Sequence, residues 1–239
     1  LVRVRKRNIS VVSTFSCGGG SSMGYAMSGC KVVAANDIDP RVSDAYKANL
    51  DTPRHVVAPV NQFFEHISDL TGSIDILDGS PPCSTFSMAG SREDAWMKDK
   101  KFSEGQASQV LSELFFEFLD LGKKLQPKVI VAENVKGMLL GKAKGYCALI
   151  FKELRAMGYE PQLFLLDASS CGVPQKRERV FFVARKKSLG WEDLKMNVSA
   201  KRVLVDEALR ASTVALEPSC ELTPAISIMY HQIPFGKSG

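Results

Sequence analysis

The sequence predicts an α/β protein of Rossmann-like architecture, with a mostly parallel sheet covered by helices and an antiparallel terminal hairpin. Three observations carry that expectation. Short apolar runs rich in β-branched residues alternate with helical patterns along the chain. Glycine-, proline- and acid-bearing stretches stand directly after four of those runs. The last two runs, "QLFLLDA" and "RVFFVAR", are joined by a loop too short for a helical crossover, so they should pair antiparallel.

The elements follow in order. "ISVVSTF" (9–15) reads as the first strand and ends in "SCGGGSS". "SSMGYAMSG" begins a helix, and "KVVAAN" (31–36) is a second strand. "DPRVSDAYKANL" then starts a helix at Pro40, behind an acidic turn. "HVVAPV" (55–60) and "IDILDG" (74–79) read as the third and fourth strands. Between 107 and 125, Val110, Leu111, Leu114, Phe115, Phe118 and Leu125 fall at helical spacing. "KVIVAEN" (128–134) is a fifth strand, and a helix runs from about Lys142 to Met157. The hairpin strands end at Arg185, and one further helix is expected over Val203–Arg210.

Composition narrows the class. The 239 residues are 45% hydrophobic and 24% charged, ordinary for a chain that buries a core. No apolar stretch approaches the ~18–20 residues of a membrane span, so no membrane partner is expected. The basic start, "LVRVRKRNIS", lacks the apolar region of a secretory signal. The six cysteines show no CxxC pair and no histidine at metal spacing. They read as reduced thiols of a cytoplasmic, metal-free protein. A net charge of +5 permits a polyanionic partner without demanding one.

Parallel sheets bind ligands at the carboxyl ends of their strands, where "SCGGG", "NDID", "GSPPC" and "ENV" all stand. Glycines at 18, 19 and 20 let a ligand approach the backbone, but the strict GxGxxG spacing is absent. Asp37, about 20 residues on, suits a ribose hydroxyl, whereas Asp39 suits a helix cap before Pro40. Together these loops suggest an adenosine-containing cofactor held without a pyrophosphate cradle. Pro81 and Pro82 stiffen the loop that presents Cys83, which reads as a positioned nucleophile rather than a buried small hydrophobe. Glu133, after the apolar "VIVA", should have a raised pKa. Arg177 and Arg179 alternate, as on one side of a strand, and need an anion.

In that order and spacing, "FSCGGGSSMGY", "GSPPCSTFS", "AENVKG" and "GVPQKRERVFFVA" resemble the DNA (cytosine-5) methyltransferases. The resemblance runs from about Ile9 to Arg185. The stretch "SEGQASQVLSELFFEFLDLGKKLQPKVIVAENVKGMLLGKAKGY" is most similar to bacterial and prophage members. It implies the S-adenosylmethionine-dependent methyltransferase fold and a restriction-modification setting. S-adenosylmethionine would be the cofactor, and a cytosine flipped out of double-stranded DNA the substrate. On that resemblance Cys83 adds covalently to C6 of the base and Glu133 holds N3. Arg179 lies near O2, with Arg177 beside it toward the phosphates. The implied cofactor contacts are Phe15, Cys17, Gly18, Gly20, Asp37, Ile38, Val60, Pro82 and Leu114.

Three departures from the family pattern stand out. Cys17 occupies the first glycine of the F-x-G-x-G-G loop, Pro59 stands where an acidic residue is usual, and the chain stops at "HQIPFGKSG". The expected organisation is therefore a cofactor-binding and catalytic domain over 1–190. Residues 191–239 would be a linker and the start of an incomplete target-recognition region, in a monomer. The competing readings are an inactive or truncated DNA-binding relative and a cytosine-5 methyltransferase acting on transfer RNA. A generic Rossmann oxidoreductase ranks last, because it leaves Cys83 with Glu133 unexplained.

Overall fold

The computed structural model describes residues 8–82, 113–141, 143–198 and 202–211. Its centre is a seven-stranded sheet built from β1 (Ser10–Thr14), β2 (Lys31–Asp37), β3 (Arg54–Val57), β4 (Ile76–Gly79), β5 (Val129–Val135), β6 (Tyr159–Asp167) and β7 (Glu178–Lys186). The strand order is β3-β2-β1-β4-β5-β7-β6. The pairs β2–β3, β1–β2, β1–β4 and β4–β5 are parallel. The pairs β5–β7 and β6–β7 are antiparallel, the second as its short connection required.

Helices α1 (Gly20–Met27), α2 (Pro40–Asn49), α3 (Val60–Ile67), α4 (Leu114–Leu125), α5 (Ala143–Ala156) and α6 (Val205–Ala211) complete the described elements. The core forms where α3 and α4 lie on the sheet. Phe63 and Ile67 of α3, Phe118 and Leu125 of α4, and Leu77 of β4 are wholly inaccessible to solvent. Phe115 stands edge-on to Phe182 of β7 at 5.6 Å, which carries this core to the antiparallel end.

Boundaries differ from the sequence expectation in instructive places. The third strand stops at Val57, and Val60 begins α3 instead of ending a strand. Val60, Phe63, Phe64 and Ile67 are spaced i, i+3, i+4, i+7, a helical signal that the β-branched "HVV" before it obscured. β6 begins at Tyr159, three residues before the expected run, and contains Pro161. Proline is tolerated there because β6 is the edge strand. The part of the expected 107–125 helix before residue 113 lies outside the described residues.

After β7 the chain turns back onto the hairpin. Arg185, only 3% exposed, reaches the carbonyls of Trp191 and Glu192 and the carboxylate of Asp193. Gln162 of β6 exchanges two hydrogen bonds with the Leu194 backbone, at 2.8 and 3.2 Å. Residues 191–194 are thus strapped to the outer strands.

Candidate active site at the switch of strand order

The sheet is wound outward in two directions from β1 and β4. The connection after β1 leads to β2 and β3, and the chain then returns to β4. Such a reversal opens a crevice at the carboxyl ends of the two central strands. The glycine loop follows β1 and the Pro-Pro loop follows β4, so the two face each other across that crevice. Ser80 donates its hydroxyl to the Phe15 carbonyl at 3.4 Å, bridging them.

The glycine loop is tightly folded. Phe15 and Cys17 both have positive φ, 52° and 45°. Gly19, with φ 92°, caps α1, and a Cβ there would come within 2.4 Å of Leu50. Gly19 is therefore demanded by packing, a role the sequence reading assigned to none of the three glycines. Gly18 and Gly20 are exposed, and a Cβ on either would meet nothing within 4 Å. Open space beside two exposed glycines and a helix N-terminus fits the carboxylate end of an amino-acid-bearing cofactor.

Asp37 ends β2 and faces this loop. Its carboxylate accepts from the Cys17 amide at 2.7 Å and from the Asp39 amide at 3.0 Å. Asp37 thus organises the glycine loop, and its half-exposed carboxylate keeps lone pairs for further donors. Asp39 caps α2, accepting from the Arg41 amide at 2.9 Å. Ile38 is half-buried beside them. Asn36, nearly inaccessible, donates to the Ala58 carbonyl at 2.7 Å and so fixes the turn that leads through Pro59 into α3. Val60 and Leu114 are 3% and 1% exposed and belong to the core between α3 and α4.

Pro81 is buried and Pro82 is exposed. Asn134, in "ENV", is 4% exposed and donates its side-chain amide to the Pro81 carbonyl at 3.1 Å. The chain leading to Cys83 is thereby tied to the end of β5; Cys83 itself lies outside the described residues. Next to Asn134, Glu133 pairs with Arg179 at 2.9 Å. Burial pushes the Glu133 carboxyl up, and the Arg179 and Arg177 guanidiniums draw it partly back. Glu133 supplies the anion for Arg179, while Arg177 acts on it only through longer-range charge. Arg177 stands one residue before β7 and is exposed, so the expected shared strand face does not form. Its backbone instead exchanges hydrogen bonds with Asp167 and Ala168 across the hairpin end.

The sequence reading also missed Asp78. It is a charged residue inside the buried β4, 6% exposed, and its carboxylate meets the hydroxyls of Ser13, Ser21 and Tyr25. A lone acid in a central strand was the available signal. Among the described residues no cluster of acids, histidines and cysteines suits a metal ion, and no helix is long and apolar enough to cross a membrane.

Comparison with known proteins agrees with this geometry. The family model for C-5 cytosine-specific DNA methylase matches residues 9–218. Type II methyltransferase M.NgoPII of Neisseria gonorrhoeae is 31% identical over 181 residues, covering 76% of this chain and 49% of the relative. Type II methyltransferase M.FnuDI of Fusobacterium nucleatum is 32% identical over 182 residues, covering 76% and 48%. The chain thus spans about half the length of these relatives. Among solved structures, a prophage-encoded DNA modification methyltransferase of Escherichia coli superposes with a TM-score of 0.67 at 27% identity, over 84% of this chain and 54% of that one. Spodoptera frugiperda DNMT2 superposes with a TM-score of 0.57 at 23% identity, over 82% and 55%, a likeness of fold alone. Matched by that family model over most of its length, and built on the S-adenosylmethionine-dependent methyltransferase fold, the chain belongs to the C-5 cytosine-specific DNA methylases.

Proposed function

We propose that this protein transfers a methyl group from S-adenosylmethionine to C5 of cytosine in double-stranded DNA. The observation that carries the reading is the Glu133–Arg179 pair, set beside Asn134 and its hold on Pro81. That arrangement places a carboxyl of raised pKa next to the loop that leads to a cysteine.

The residues divide the work. Asp37 meets the ribose hydroxyls, and the exposed glycines leave room for the methionine end of the cofactor. The bound cofactor supplies an electrophilic methyl group. The Cys83 thiolate adds to C6 of the flipped base, and its electron pair moves through the ring toward C5 and N3. A protonated Glu133 would donate to N3 and lower the cost of that charge. Arg179 holds Glu133 and offers a donor near O2. C5 takes the methyl group, leaving the donor sulfur as a neutral thioether; a water molecule then takes the C5 proton, its electron pair restores the C5–C6 double bond, and the C6–sulfur bond breaks to return the thiolate. Two prolines and the Asn134 amide fix the approach to Cys83, because small misplacement of reacting atoms is costly in rate.

We infer the same division of the chain as the sequence suggested, a cofactor-binding and catalytic domain over 1–190 followed by a linker toward target recognition. The mechanism is tested in the complete protein by Cys83→Ala. Labelled methyl transfer to DNA should vanish, while the S-adenosylmethionine dissociation constant stays within about threefold, since the thiol is no cofactor contact. Near-normal turnover in the alanine variant would sink the covalent route.

A further inference from the structure

Helix α1 carries the glycine loop at its N-terminus, yet it has little apolar grip on the sheet. Ser22 is its one buried residue, and Met23 and Met27 are 39% and 68% exposed. An amphipathic helix is ordinarily oriented by an apolar stripe. Here a polar cluster stands in for it. Ser21, in the first turn, donates to Asp78 Oδ2 at 2.5 Å, and Tyr25, one turn on, donates to Oδ1 at 3.2 Å. Ser13 of β1 joins at 3.2 Å, and Thr14 donates to the Asp78 backbone carbonyl at 3.1 Å. The side chain on which these groups converge belongs to β4, immediately before Gly79 and the Ser80–Pro82 loop.

We propose that Asp78 is a positioning residue for the cofactor, holding the glycine-loop helix at a fixed distance from the strand that bears the Pro-Pro loop. It acts through α1 and not by touching the ligand, since it is 6% exposed and both its oxygens are engaged inside the protein. Burial pushes its carboxyl up, the hydroxyl donations of Ser21, Tyr25 and Ser13 draw it partly back, and Glu133 on β5 adds a smaller rise. Three hydroxyl donors answer the carboxylate at this depth, so its burial leaves no unpaired acceptor. The width of the crevice at the reversal of strand order then depends on one side chain that the methyl-transfer steps do not use.

The proposal rests on the reading of S-adenosylmethionine as the ligand, and calorimetric titration of the full chain with S-adenosylmethionine tests the two separately. The variants are Ser21→Ala, Tyr25→Phe, Asp78→Ala and Asp78→Asn, each titrated well below its melting temperature. Asp78→Ala should weaken binding about tenfold, and Ser21→Ala and Tyr25→Phe by about three- to fivefold, a loss expected for one hydrogen bond. Asn keeps the shape and one acceptor oxygen, so Asp78→Asn should recover part of what alanine loses. The Ser21→Ala and Asp78→Ala losses should be less than additive, because both break one contact. Lower melting temperatures with unchanged dissociation constants in every variant would overturn the proposal and leave Asp78 a purely structural residue. A wild-type chain that does not bind S-adenosylmethionine at all would instead overturn the functional reading on which it rests.

Discussion

Cys17 shows how a single residue departs from what its backbone position favours. Its φ of 45° lies in the left-handed region, where a side chain on Cβ is penalised and glycine is at ease. Its amide is nonetheless held by Asp37, so the conformation is imposed by the loop and not chosen by the residue. Cys17→Gly should therefore stabilise the fold. Relief of about 1–2 kcal/mol of left-handed strain outweighs the ~0.5–1 kcal/mol of added chain entropy. The expected net gain is under about 1 kcal/mol, read as a higher urea midpoint with unchanged slope. A lower midpoint would show that the Cys17 side chain contributes packing that its exposure does not suggest. The same residue shows the reach of the sequence. The motif located the loop, and comparison with the family pattern marked Cys17 as out of place. Which glycine is sterically required was not legible, because Leu50 and Tyr46, the neighbours that exclude a Cβ at Gly19, come from a helix some thirty residues away.

At the scale of elements, the sheet was read well where strands end in chemically distinctive loops, and less well where only periodicity spoke. The five parallel strands and the terminal hairpin follow from apolar runs and connection lengths. Helix α3 did not emerge, because "HVVAPV" carries strand-forming residues up to the point where the helix begins. Tertiary packing decided the matter: Phe63 and Ile67 find α4 and the sheet, and a strand could not have buried both on one face together with Val60. The pairing of Asn134 with the Pro81 carbonyl was equally out of reach, since it joins a strand end to a loop 53 positions away. Gly79 marks where such an element is tightest. It ends β4, and a Cβ there would stand 2.5 Å from the Thr14 hydroxyl and 2.6 Å from the Phe118 ring. Both neighbours are buried, so neither can swing aside. Gly79→Ala should cost about 1–3 kcal/mol, the range for overpacking a filled core. Gly18→Ala, with open space around it, serves as the steric control. Equal stability of the two variants would mean that β4 and α4 separate more readily than their packing implies.

Over the whole molecule, the carboxyl edge of the sheet sorts its cations into two kinds. Arg179 is spent on Glu133, and Lys136 on Glu178. Arg177 and Lys176, on the same hairpin end, stay exposed. If DNA is the substrate, the exposed pair should meet phosphates, while Arg179 should serve the base pocket. The two roles differ in their response to salt. Each phosphate contact releases condensed counterions, so log affinity falls against log salt with a slope of about −0.9 per contact on duplex DNA. Arg177→Gln should therefore weaken binding to a mixed-sequence duplex and flatten that slope by roughly one. Arg179→Gln should leave the slope in place, because its charge is already answered within the protein. Phosphate contacts carry no sequence information, so the described residues should hold different duplexes alike. Fluorescence anisotropy across a salt series gives all three quantities in one experiment. A slope unchanged by Arg177→Gln but flattened by Arg179→Gln would reverse the assignment. It would mean that the Glu133 pair opens on DNA binding and that Arg179 is the one that reaches the backbone.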